Sequence, residues 1–152
     1  MPLEPGDILR RVKNVQREYS ALRFTTDYAL RSLSTGNVNL DNDLKRADVN
    51  RASERLEGTY IIRLFSEFEV ALKTILLDQM LKRIPAAAKP LINRVATHFR
   101  FSGQILDDVH AVREYRNRLV HHLVHDIADS QRMTIPTASK HLCTFLSRAV
   151  RW

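Results

Sequence analysis

Apolar residues recur every three or four positions through most of this chain, and no segment alternates in the manner of a strand. From about Asp7 to Leu33, the series Ile8, Val12, Val15, Tyr19, Leu22, Ala29 and Leu33 keeps to one side of a helix with 3.6 residues per turn. Asp7 follows a Pro-Gly pair and suits an N-cap. The segment "STGNVNLDND" then offers Gly36 and several Asn and Asp residues without an apolar period, which predicts a loop. A second helix is predicted from about Asp48 to Leu81. Its stripe is Ile61, Leu64, Phe65, Phe68, Leu72, Ile75, Leu76 and Gln79. Gly58 weakens it by about 1 kcal/mol relative to alanine.

"PAAAKP" ends that helix and restarts the chain, with Pro90 suited to the first turn of a short third helix running to about His98. "FSGQ" marks another turn, with Ser102 as a candidate cap, and the fourth helix spans about Gly103 to His125. A last helix begins near "IPTASKHL" and carries Leu142, Phe145, Leu146 and Val150. The fold class that follows is all-α: an antiparallel up-and-down bundle of four to five helices, forming one domain over residues 1–152.

Composition narrows the class further. A chain of 152 residues buries a core without covalent staples, and 44% hydrophobic with 27% charged residues excludes a disordered chain. Cys143 is the lone cysteine, which excludes an internal disulfide and a cysteine-based zinc site and fits a reducing compartment. No charged-then-apolar leader opens the chain and no run approaches bilayer length, so the expectation is a soluble, cytoplasmic protein without a membrane partner. The net charge of +7 favours a polyanion partner, although the basic residues are interspersed with acids and a solvated basic surface accounts for them as well.

The fourth helix carries the candidate chemistry. Ile105, Val109, Val112, Leu119, Val120 and Leu123 share one side of an ideal wheel, and Arg116 falls in the middle of that side. A guanidinium there needs a partner, because an unpaired buried charge is very costly. Glu69, at the edge of the second helix's stripe, is the expected partner, while Glu67 points further outward. Asn117 and His121 are stacked one turn apart on a more exposed side, His125 extends that line, and Arg118 with His122 flanks it. On an ideal helix Arg116 and His121 stand about 140° apart, which favours a site completed by a second subunit.

Arg116-Asn117-x-x-x-His121 resembles the Rx4-6H motif of HEPN domains, which are small helical bundles. The likeness extends to a preceding long helix with a glutamate ("FSEFEVALK") and a following closing helix ("IPTASKHLCTFLSRA"), and covers the chain from about Asp48 onward. The resemblance implies a cofactor-free, metal-independent endoribonuclease, commonly a homodimer with both motifs facing one cleft, and often a toxin or defence nuclease. In that chemistry the ribose 2′-hydroxyl attacks the adjacent phosphate, leaving a 2′,3′-cyclic phosphate and a 5′-hydroxyl. Arg116, Asn117 and His121 become the catalytic candidates, Glu69 a supporting residue, and Arg113, Arg118, His122 and His125 candidate RNA contacts. Some toxins of the family carry a tyrosine two residues after the histidine, where a nucleotidyltransferase antitoxin adds AMP. Leu123 occupies that position here, which argues against that modification while leaving such an antitoxin as a candidate binding partner.

Plainer readings stand beside these. His121 near a helix end complements the helix dipole. Arg116 with Glu69 makes a purely structural pair, and Phe65, Phe68 and Tyr60 read as core. His121 and His125 have zinc-compatible spacing, yet no second ligand cluster accompanies them. No interleaved aromatic–basic strip of the single-strand-binding type stands out, and no helix–turn–helix pair is evident. The alternative to a ribonuclease is a non-catalytic module of the same family that binds nucleotide, nucleic acid or a protein.

Overall fold

The computed structural model describes residues 5–41, 43–79, 83–101, 103–121 and 127–150. Five helices account for most of them: α1 (Pro5–Ser34), α2 (Arg46–Asp78), α3 (Ala88–His98), α4 (Gln104–His121) and α5 (Ile135–Val150), with a short 3-10 turn at Asp129–Gln131 before the last. The described residues form an all-α helical bundle, and none of its helices is long and apolar enough to cross a membrane.

Each boundary has a local cause. α2 begins at Arg46, two residues before the expected Asp48, because the Asp48 carboxylate accepts a hydrogen bond from the Lys45 backbone N–H at 3.0 Å and closes the first turn. α3 ends in a tight reversal in which the Phe101 N–H donates to the Ala96 carbonyl at 2.7 Å, with Arg100 (φ 56°) and Gly103 (φ 65°) in the left-handed region. Ser102, the candidate cap, lies outside the described residues.

α1 and α2 run antiparallel, as the pairs Arg11–Glu67, Glu18–Arg63 and Tyr19–Tyr60 show. α4 and α5 are likewise antiparallel, through Asp108–His141 and the contact of Tyr115 with Met133. The core gathers Ile61, Leu64, Phe65, Phe68, Leu72 and Leu76 of α2 against Val109 and Val112 of α4 and Leu142, Phe145 and Leu146 of α5, all fully buried. A row of rings runs through it, with Phe68 5.7 Å and Phe101 5.1 Å from Phe145. Each such buried side chain is worth about 1.5–3 kcal/mol.

Two parts of the expected apolar pattern fall outside this core. Gln79, placed on the α2 stripe, is exposed. On α1 the stripe is buried through Val15, but Leu22 is 43% exposed, and Ser32 is the only buried residue from Ser20 onward. α5 begins beside Glu57, so the outer halves of α1 and α2 extend past it as a two-helix arm joined at Gly36 (φ 72°) and the loop that follows.

Candidate functional site

The face α4 turns inward differs from the expected one. Val109, Val112 and Tyr115 are buried, while Leu119 is half-buried and Val120 is 50% exposed. Tyr115 is responsible: a ring with a polar tip sits in the core when that tip finds a partner. Its hydroxyl meets the backbone of Met133, just ahead of α5. Burial pushes the phenol above its usual range, with the Met133 backbone opposing that shift.

This rotation leaves Arg116 at the margin of the core, half-buried between α4 and α2. Its guanidinium lies 5.7 Å from the centroid of the Phe65 ring, and Nη1 donates to the Asn117 Oδ1 at 3.0 Å. Nε is buried and makes no hydrogen bond. The expected pair with Glu69 does not form: among the described residues no carboxylate lies within ion-pair distance of Arg116. Glu69 stays half-buried on α2, and the glutamate expected to point outward, Glu67, instead meets Arg11 of α1 at 2.9 Å. A stacked guanidinium tolerates this position because ring and amide offset part of its lost hydration.

His121 is the last described residue of α4 and is exposed. Asn117, one turn earlier, is half-buried and committed to Arg116. The chain therefore brings Arg116 and Asn117 together and places His121, exposed, further along the same helix, with no hydrogen bond linking it to either. Arg118 is half-buried. Arg113 is nearly covered, its side chain 16% exposed, and it meets Glu114 at 3.2 Å. His122 and His125, with Leu123, lie outside the described residues. No protein-family model, curated protein or solved structure matches the chain.

Two polar clusters beside the motif escape the sequence pattern. On the α3 side, His110 Nε2 lies 2.8 Å from Asn93 Oδ1, and its buried Nδ1 has no partner among the described residues. Burial holds this imidazole below its ordinary pKa, with the positive charges of Arg113 and Lys89 acting in the same direction. On the α5 side, His141 Nδ1 lies 3.0 Å from Asp108 Oδ2, while Asp108 Oδ1 accepts from Gln104 at 2.6 Å. The i, i+4 spacing of Gln104 and Asp108 is visible in the chain; that His141 meets them from another helix is not.

Chemically, α4 offers a guanidinium with no carboxylate partner among the described residues, an amide that orients it, and an exposed imidazole. These are an anion-binding group and a proton-transfer group, suited to phosphoryl chemistry.

Proposed function

We propose that this protein is a metal-independent endoribonuclease of the HEPN type, acting as a homodimer with one α4 motif from each copy facing a shared cleft. The observation that carries the reading is the state of Arg116. It is held by a neutral amide and an aromatic ring, so its charge is left for an anion rather than neutralised by Glu69. The exposed His121 on the same helix, in the spacing of the Rx4-6H motif, supplies the proton-transfer group.

In the proposed reaction the ribose 2′-oxygen bonds to the adjacent phosphorus and the bond from phosphorus to the 5′-oxygen breaks. One imidazole of the dimer accepts the 2′-hydroxyl proton and the other donates a proton to the departing 5′-oxygen. Arg116 binds the phosphoryl oxygens as charge builds on them, and Asn117 sets its orientation. Glu69 has no part in holding the arginine. DNA, without a 2′-hydroxyl, is not a substrate. A toxin or defence role, with an antitoxin of the nucleotidyltransferase kind as partner, is the biological setting that the resemblance favours.

The test is cleavage of RNA by the purified protein in EDTA, wild type against His121→Ala, with the product ends identified. Cutting by wild type alone, leaving 2′,3′-cyclic phosphates, is the expected outcome. Intact RNA beside a folded dimer would overturn the proposal. A second reading, a non-catalytic nucleotide-, nucleic-acid- or protein-binding module, is favoured by one observation: Arg116 lies against Phe65 and is not linked to His121.

A further inference from the structure

The outward face of α1 combines two features that the linear pattern hides. Lys13, Arg17, Ser20, Phe24, Tyr28 and Arg31 fall within an arc of about 80° on an ideal helix, over a length of about 27 Å. Along the inner half of this stripe, α1 and α5 enclose a shallow groove of about 450 Å³. Lys13 of α1 faces Lys140 and Arg148 of α5 across it, with Thr144 and Ser147 between them. Adjoining depressions extend it past Arg17 to Ser20 and past Arg10 to Gly6, and among the described residues no carboxylate lines any of the three.

The described acids nearby are each paired, and only Asp7 holds a cation that lines the groove. Asp7 pairs with Arg10, Glu18 with Arg63 of α2, and Asp27, at the margin of the stripe, meets Arg23 at 3.4 Å. Beyond the groove the stripe continues onto the arm, where Phe24 is 74% and Tyr28 65% exposed, the two most exposed large apolar side chains among the described residues. An exposed aromatic normally costs solubility, and these two sit one turn apart in line with the cations.

We propose that this face of α1, with the facing edge of α5, is a binding track for single-stranded nucleic acid. The groove cations take the phosphates, and Phe24 and Tyr28 act as stacking platforms for unpaired bases. Cations without acids attract any polyanion, but flat apolar rings at the end of the cationic row reward an unstacked base and gain nothing from a closed duplex. The length accommodates on the order of four to eight nucleotides. The choice of RNA as the strand rests on the proposed function; the track itself does not depend on cleavage.

The experiment is fluorescence anisotropy of a labelled single-stranded RNA of about twelve nucleotides, in EDTA, on a His121→Ala background. Phe24→Ala with Tyr28→Ala weakens binding by at least about tenfold and leaves any residual duplex binding unchanged. Replacing Lys13, Arg17, Lys140 and Arg148 by glutamine flattens the dependence of log affinity on log salt by about 0.7 per lost phosphate contact. All six side chains are solvent-exposed, so circular dichroism of both variants matches the parent. Undiminished affinity in either variant, or failure of the parent to bind the strand at low salt, overturns the proposal. So does uptake by phosphatidylserine vesicles without RNA binding, which would reassign the stripe to a membrane surface. Cleavage without α1-dependent binding sinks this inference alone; α1-dependent binding without cleavage sinks the nuclease reading alone.

Discussion

The carboxylate of Glu57, a third of the way along α2, accepts a hydrogen bond from the backbone N–H of Ile135 at 3.1 Å, where α5 begins. A helix start carries unpaired N–H groups and a partial positive charge, and this side chain answers both from a distant part of the chain. Glu57→Gln, which keeps the acceptor and loses the charge, is expected to cost about 0.5 kcal/mol, and Glu57→Ala about 1–2 kcal/mol. Urea denaturation measures both, with the order of the two costs as the discriminating result.

A second prediction separates a catalytic Arg116 from a structural one. Breaking a buried ion pair leaves an orphaned charge and costs about 3–5 kcal/mol. Arg116 has no such pair among the described residues, so Arg116→Met is expected to cost less than about 2 kcal/mol while RNA cleavage falls by about 100-fold or more. Arg116→Lys keeps the charge but loses the planar fork, and is expected to fall between. Thermal melts with initial cleavage rates decide it; a large loss of stability would return the arginine to a structural role.

His110 makes stability fall on the acid side of neutrality. Its folded pKa is lowered by burial, so between the ordinary imidazole value and the lower folded value the unfolded chain binds more protons. This contribution is intact above about pH 6.5 and is lost as the pH drops through that window. His110→Gln is expected to flatten the profile there, as read from urea midpoints at a series of pH values. An unchanged slope would place the titration elsewhere.

Asp108 and His141 join the fourth and fifth helices through one partly exposed contact. A double-mutant cycle with Asp108→Asn and His141→Gln is expected to give a coupling of about 0.5–1.5 kcal/mol. Additive single effects would mean that the contact contributes nothing to the packing of the two helices.

The bundle was largely legible because burial on one side of a helix leaves a period, and a period survives in one dimension. Ile61 to Leu76 and Leu142 to Leu146 are core as their spacing implies. The candidate site was less legible, for two reasons. Tyr115 reads as neither apolar nor polar, so a wheel drawn on the aliphatic residues of α4 sets Arg116 deeper than the structure does. A wheel also shows where a carboxylate sits but not which helix it faces. Helical wheels alone pair Glu69 with Arg116, a pair that does not form, while the connection made by Glu57 spans 78 positions and leaves no local trace. Leu22, Ala29 and Leu33 continue the helical pattern past the end of the core, and nothing in the pattern marks where the neighbouring helix begins.

The arm formed by the outer halves of α1 and α2 has a practical corollary for protein engineering. Its tip turns at Gly36, where the space around the backbone is open, and Asn37 to Val38 beyond it are exposed. Chain inserted at such a tip displaces no packing, and lengthening a loop adds only about 0.6 kcal/mol per doubling of its length. A fluorescent domain or an affinity tag grafted between Gly36 and Val38 would therefore ride on the tip of the arm, leaving the bundle to fold as before.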